Sequence, residues 1–366
     1  KEFNTGDNFG CAYFQMNQRK GVRWSASKAF LRPIQHRPNL TVMTNTHVQK
    51  LALEANEHGP RATGVWITKG GDAPSLVTAT REVILAAGAV ASPQILQLSG
   101  IGEPALMQQL GAAPVIDLPG VGQNLQDHLQ IRTIYKVSNT TTLNPRVNSL
   151  VGKAMMGLEY LLFKTGPLTM PPSQLGAFAK SDEAQPTPNM EWHVQPLSLD
   201  QFGSPLHPFN AITPSVCNLR PASRGAITAQ SLDPLMAPKI NLNYLSNPED
   251  EAVALAGLRM TRRIMKAKAL ARFLPEEWKP GPERQSDTEL LDAARDLGTT
   301  IFHPVGTCKM GADPAAVVDD RLMVHGCKGL RVIDASIMPL ITSGNTNAPT
   351  VMIAEKGAQF IIEDAG

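Results

Sequence analysis

The alternation of polar and apolar positions changes character three times along the chain. Asn39 to Leu53 (NLTVMTNTHVQKLAL) alternates β-branched with polar residues, and Ala62 to Thr68 (ATGVWIT) and Leu76 to Thr80 follow in the same manner. A period of two puts one face of a strand on a core and the other in water, so a small sheet is expected here. Glu82 to Ala87 (EVILAA) is apolar without alternation, the pattern of a strand buried on both faces, and Gly88 ends it before a helical stretch at Ser92 to Leu98. Strand, glycine and helix in that order make a ligand-facing edge of an α/β sheet.

From about residue 131 to 297 the loops lengthen and gain proline, with helices expected at Leu150 to Phe163 and Pro248 to Phe273. This stretch reads as a second domain. Asn247 can cap the later helix, Pro248 suits its first position, and Glu249, Asp250 and Glu251 face the positive end of its dipole. Ser286 and Glu289 form a capping box for a helix ending near Gly298, and a strand, Thr299 to Phe302, is expected to deliver His303. A strand at Leu330 to Ile333 and a helix at about Pro349 to Glu363 close the chain.

Composition removes several function classes. Of the 366 residues 42% are apolar, enough for a continuous core, and 34 Lys plus Arg against 32 Asp plus Glu leave no positive excess to hold a phosphate backbone. Nucleic acid is therefore not an expected partner. The longest apolar run, Val83 to Ala91, is interrupted by Gly88 and falls short of the roughly 18 to 20 residues of a membrane span. Cys11, Cys217, Cys308 and Cys327 show no CxxC or other metal-ligand spacing, so free thiols, a reducing cytoplasmic location and no metal are expected. No G-x-S-x-G elbow is present, which leaves a hydrolase unsupported.

Candidate chemistry gathers near the end of the chain. His303 is followed by Pro304, Val305, Gly306 and Thr307, a turn that would hold an imidazole rigidly, as a general base requires. Taken alone, such a histidine more often packs at a strand end. Ser343 to Asn347 form a polar turn before an apolar helix whose free amides could stabilise an anion, although an ordinary Asn cap is the commoner reading of such a turn taken alone. Asp334 and Ala335 close a strand where dinucleotide folds place ligand contacts. Gly100, Gly102 and Ala105 match G-x-G-x-x-A but follow a helix, and are set aside as a phosphate loop.

Three ordered blocks, FHPVGTCKMG (Phe302 to Gly311), GLRVIDASIMP (Gly329 to Pro339) and SGNTNAPTVMIAEKGA (Ser343 to Ala358), resemble the carboxy-terminal signature of the glucose-methanol-choline oxidoreductases. GVRWSASKAFLRP (Gly21 to Pro33), RPNLTVMTNTHV (Arg37 to Val48), EVILAAGAVASPQILQLSGIG (Glu82 to Gly102), GVGQNLQDH (Gly120 to His128) and RPASRGAIT (Arg220 to Thr228) resemble further blocks in family order. The resemblance covers nearly the whole chain and is loosest between Ile131 and Ile212. It implies an α/β fold in which a Rossmann-like FAD domain, 1–130 with 300–366, is joined to a substrate domain, 131–299, built on an antiparallel sheet with helices. It also implies a choline- or alcohol-dehydrogenase-like flavoprotein that oxidises an alcohol to a carbonyl by hydride transfer to flavin N5, passing electrons to oxygen or a quinone-like acceptor.

Carried over by position, the resemblance makes His303 the base and Asn347 the second catalytic residue. It places Val48, Asp334, Ala335, Asn345, Thr346 and Asn347 along the FAD. The family's opening βαβ unit, which holds the pyrophosphate, has no match here, so a truncated chain or a missing amino-terminal piece or partner is expected. A non-catalytic fragment and a hydroxynitrile-lyase-like member are the alternatives. For choline, Trp192, His193, Phe202 and Phe209 are the nearest aromatic candidates. Two structural expectations follow. His303 and Asn347 should lie within about 6 Å, with neither His128 nor His193 replacing His303. Val83, Ile84, Leu85 and Ile333 should form an exposed apolar face beside Gly88 next to an empty flavin cleft, or else a separate amino-terminal piece or a partner chain should cover that face.

Overall fold

The computed structural model describes residues 2–57 and 59–366. Strand β1 (Gly10–Tyr13) is followed by β2 (Thr46–Asn56), β3 (Gly59–Lys69), β4 (Ser75–Thr78) and β5 (Val83–Leu85), then by helix α1 (Gly88–Leu98). Next come β6 (Leu129–Arg132), α2 (Leu150–Phe163), β7 (Leu175–Ala179), β8 (Met190–Gln195) and β9 (Ala211–Asn218). The main elements end with α3 (Pro248–Met265), α4 (Asp287–Leu297), β10 (Gly298–Thr300), β11 (Leu330–Val332) and α5 (Asn347–Asp364).

Two compact units result. The first holds Lys1–Val42, Leu129–Leu219 and Pro248–Thr300, and the second holds Met43–His128, Arg220–Asn247 and Ile301–Gly366. The boundaries therefore differ from those expected at two places, because strand pairing crosses the sequence blocks. β1 lies antiparallel to β7 with Gly10 opposite Phe178, which draws the opening segment into the first unit. Gly225 and Leu125 exchange backbone hydrogen bonds of 2.9 and 3.0 Å, which draws 220–247 into the second.

The first unit is an eight-stranded antiparallel sheet with the path β1-β7-β8-β9-β6-β10 and a branch at β9. Helix α3 covers one face: Trp192 Nε1 donates to Thr261 Oγ1 at 2.8 Å, and a Cβ added to Gly257 would stand 3.0 Å from Val216 Cγ2. Met265 ends this helix, and the expected continuation to Phe273 is a separate 3-10 turn, Lys268–Phe273. The capping box of α4 is formed, Glu289 N donating to Ser286 Oγ at 3.3 Å and Ser286 N to Glu289 Oε2 at 2.9 Å.

In the second unit β2, β3 and β4 make an antiparallel sheet that begins at Thr46 rather than Asn39. β5 and β11 pair in parallel, Val83 with Leu330 and Leu85 with Val332, and join Leu96, Val305 and Ile353 in one apolar core. Only part of the expected exposed face exists. Ile84 is 42% exposed, but Val83, Leu85 and Ile333 are buried. β11 covers the strand, and α5 sets Gly357 so close to Ile333 that an added Cβ would come within 2.6 Å of its Cγ2. Among the described residues no helix is long and apolar enough to cross a membrane.

Candidate active site

His303 belongs to the second unit and comes from a turn, since β10 ends at Thr300 in the first. Two clamps hold that turn. The His303 amide donates to Asp127 Oδ1 at 2.9 Å, and Asp127 accepts a second, short hydrogen bond from the Tyr244 hydroxyl. Two residues on, Val305 and Gln126 exchange backbone hydrogen bonds of 2.9 and 3.0 Å. Phe302, just before the first clamp, takes φ +65°, a left-handed conformation that costs a bulky residue about 1–3 kcal/mol. Gly306 at φ +92° admits no side chain, because a Cβ there would stand 2.6 Å from the Asn124 carbonyl oxygen.

The imidazole of His303 is nearly enclosed, at 9% exposure. Its Nδ1 lies 3.0 Å from Nδ1 of the buried His128, with the rings edge to face. A proton must sit between those two nitrogens for the contact to be attractive. On the other side Asn345 Nδ2 stands 3.4 Å from His303 Nε2. An amide donor at Nε2 calls for a lone pair there, so the tautomer that satisfies both neighbours carries its proton on Nδ1, directed at His128. Nε2 then carries the lone pair, and the ring is held at one orientation by a neighbour on each side.

Of the residues singled out from sequence, the structure brings Asn345 to His303. Asn347 is the exposed first residue of α5. Thr346 precedes it, buried, with its carbonyl accepting from Thr350 N at 3.1 Å and Thr350 Oγ1 at 2.7 Å, which fixes where the helix starts. Asp334 is fully engaged: Oδ2 accepts from Gly88 N at 2.9 Å and Ser92 Oγ at 2.5 Å, and Oδ1 from Ser336 N at 2.8 Å. It ties the turn after β5 to the turn after β11. Ala335 opens a 3-10 turn, and Val48 lies on β2 next to a bulge between Val48 and Lys50, where a backbone is turned out of its ladder. The N-cap residue of α5 makes no side-chain cap, whereas the first amide of α1 is taken by Asp334, and a Cβ added to Gly88 or Gly344 would meet nothing within 4 Å.

Asp127, His128 and Tyr244 went unread as site residues. The block GVGQNLQDH carried a signal, an Asp and a His side by side after a turn, but Tyr244 lies 117 positions from Asp127 and had none. The aromatic candidates for a choline cage lie apart in the first unit. Trp192 is under α3, His193 stacks on Phe14, Phe202 lies against Arg132, and Phe209 stacks on His207.

A nearly enclosed, firmly oriented imidazole and, at α5, a helix start without a side-chain cap are arrangements that suit proton transfer and an anion respectively. Comparison with known proteins identifies the class. Residues 1–130 and 221–354 match the two parts of the GMC oxidoreductase family. The chain is 41% identical over 363 residues to an alcohol dehydrogenase [acceptor] of Pseudomonas putida, covering 99% of this chain and 65% of that protein. It is 41% identical over 343 residues to an oxygen-dependent choline dehydrogenase of Klebsiella pneumoniae subsp. pneumoniae, covering 93% and 61%. A formate oxidase of Aspergillus oryzae RIB40, studied for the effect of mutation on FAD modification, superposes with a TM-score of 0.88 at 26% identity, covering 98% of this chain and 66% of that one. The chain belongs to the GMC oxidoreductase family, and it spans less than two thirds of the length of these curated relatives.

Proposed function

We propose that this chain carries the acid–base centre of an FAD-dependent enzyme that oxidises a small alcohol to a carbonyl. The observation that supports it most is the His303 imidazole, enclosed and oriented through Nδ1 by His128, with Nε2 directed at Asn345. In this reading Nε2 takes the hydroxyl proton of the substrate. The positive charge that develops is shared through the Nδ1–H donated to His128. Asn345 and Asn347 supply amide donors to the substrate oxygen, which keeps the carbinol carbon in one orientation. Bound FAD would supply the hydride acceptor, N5.

The residues present fit that cofactor. Helix α5 begins without a side-chain cap and offers its amides to negative charge, Gly344 leaves open space before it, and Thr346 holds the geometry. The bulge at Val48 frees backbone groups for a planar ring. Asp334, its oxygens already taken, serves by holding the turns of Gly88 and Ala335 in place. FAD binding and turnover belong to the whole protein, as does the choice of oxygen or a quinone-like carrier as acceptor. A cytoplasmic location is part of the same proposal, supported by four cysteines of which none forms a disulfide.

The test is His303→Ala in the intact protein. FAD should remain bound while its anaerobic reduction by alcohol, followed by stopped flow, slows by about 10² to 10⁴, the usual worth of a positioned base. Reduction at the wild-type rate would remove His303 from the mechanism. A bound flavin that no alcohol reduces would favour the lyase reading instead.

A further inference from the structure

Helix α2, in the first unit, presents its apolar side to solvent. At about 100° per residue, Leu150, Val151, Met155, Leu158, Leu161 and Leu162 fall within one arc of about 140°, the width of stripe that an amphipathic helix ordinarily turns toward a core. Each of the six is at least half exposed, from 50% at Leu158 to 84% at Leu150, and Phe163 and Leu168 extend the band past the helix end. Met156 points inward, and α2 packs on the short helix Leu143–Asn148 before it and the turn Pro167–Thr169 after it. Single exposed leucines are ordinary, but a continuous apolar band of this extent marks an interaction surface.

Positive charge gathers around the same band. A hairpin, Gln18–Arg19 with Val22–Arg23, abuts the end of α2, where Gly21 rests on the Lys164 carbonyl with no room for a Cβ. It brings exposed Arg19, Lys20 and Arg23 to the carboxyl end of the helix beside exposed Lys164. Lys153 lies along one edge of the band, and Arg146 precedes its start. Residues 16–24 and 146–168 thus hold six cations and one acid, whereas the whole chain has 34 against 32. That acid, Glu159, is folded onto the turn that follows the helix, its Oε1 accepting from Thr165 Oγ1 at 3.2 Å.

We propose that α2 is an interfacial helix that seats this protein on an anionic lipid surface. Leucines on one side with lysine and arginine at the margins suit a helix lying in the plane of a bilayer. Its apolar side chains enter the acyl boundary by about 5–10 Å while the cations meet the lipid phosphates. Lys153 and Lys164 have stems long enough to keep their ammonium groups at that level as the helix sinks beside them. Length agrees with lying rather than crossing. The 14 residues of α2 span about 21 Å, short of the roughly 30 Å of a hydrocarbon core. A second copy of the chain is a poorer occupant, because two-fold pairing would bring the same six cations against their equivalents.

Flotation of the intact protein with lipid vesicles tests this. Phosphatidylcholine vesicles containing about 30% phosphatidylglycerol should bind it about 10-fold or more tightly than phosphatidylcholine alone. Salt at about 0.5 M, which shortens the screening length to about 4 Å, should remove that preference. Lys153→Gln with Lys164→Gln should weaken binding to the anionic vesicles about 25-fold, at about fivefold per cation. Leu158→Glu with Leu162→Glu should abolish binding to both kinds of vesicle. All four positions are exposed, so the thermal midpoint of each variant should stay at the wild-type value. A readout that needs no variant is hydrogen exchange on the wild-type protein, which should slow within 150–163 when anionic vesicles are added. No uptake by vesicles, uptake untouched by the leucine substitutions, or protection confined to other segments would each overturn the proposal. A dimer that the leucine substitutions dissociate, with no uptake by vesicles, would overturn it in favour of a second copy.

Discussion

Removing the carboxylate of Asp127 should loosen the His303 turn far more than it loosens the rest of the second unit. Asp127 is buried and accepts from the His303 amide and the Tyr244 hydroxyl. A hydrogen bond to a charged group contributes about 1.5–3 kcal/mol. In Asp127→Ala the His303 amide loses its carboxylate acceptor in an enclosed place, whereas the hydroxyl of the half-buried Tyr244 can turn to water and counts for little. The Phe302 conformation, about 1–3 kcal/mol above an ordinary one, is also no longer held on one side. Together these put the loss at about 2–4 kcal/mol of local opening free energy, or about 30- to 900-fold at 1.36 kcal/mol per decade. Hydrogen exchange read by mass spectrometry on peptides spanning 299–310 measures this directly. Asp127→Asn keeps an oxygen for the His303 amide and should lose only about 0.5–1.5 kcal/mol. Exchange in Asp127→Ala within about threefold of wild type would mean that the Val305–Gln126 backbone pair holds the turn unaided.

Three further outcomes are expected. Gly306→Ala should cost about 2–5 kcal/mol, from its left-handed φ together with the 2.6 Å approach to the Asn124 oxygen, and an unchanged denaturation midpoint would show that the turn relaxes freely. With a thiol reagent at pH 8, only Cys11 should react quickly in the native chain and all four cysteines after denaturation. Burial pushes the Cys327 thiol up to about 11, while burial and then the charge of Asp334 raise Cys308 further, so a second fast thiol would contradict the packing. Asp364 is held below the usual carboxylate range, first by Arg331 and then by Arg321. A depressed carboxyl contributes stability above its unfolded pKa and loses it as pH falls through the folded one, so the end of α5 should lose exchange protection below about pH 4, and equal protection at pH 5 and pH 3 would refute this.

Much of the fold was legible because it rests on local chemistry. The capping box at Ser286 and Glu289, the acidic start of α3 and the strand–glycine–helix step at Gly88 are written in consecutive residues, and the structure contains each. What escaped was long-range. That β1 pairs with β7, and that 220–247 returns to the unit of β5, depends on partners far apart in sequence that no periodicity reports. β5 shows the limit of reading a strand by its apolar run. EVILAA reads as covered on both sides, yet Ile84 is exposed while its neighbours are buried, because a strand's second face is set by what lies across it. The site divides in the same way. His303 stands out through the proline and glycine around it, but its orientation comes from Asp127, His128 and Tyr244, which only folding brings near.

Asp334 shows how a residue can be well chosen from sequence and yet have a different part to play. A carboxylate at the end of a parallel strand is a reasonable ligand contact. Here its two oxygens accept three hydrogen bonds, from Gly88, Ser92 and Ser336, and so couple the turn after β5 to the turn after β11. That coupling reaches the His303 turn. The Gly306 amide donates to the Ala335 carbonyl at 3.3 Å and the Cys308 amide to the Ser336 carbonyl at 2.9 Å, so the chain that leaves His303 is tied to the turn Asp334 shapes. Helix α1 starts at Gly88 without a side-chain cap of its own, and the Asp334 carboxylate stands at its positive end. One buried carboxylate therefore sets the start of a helix and the path of the His303 loop together. A change there should disturb cofactor affinity and proton transfer at once.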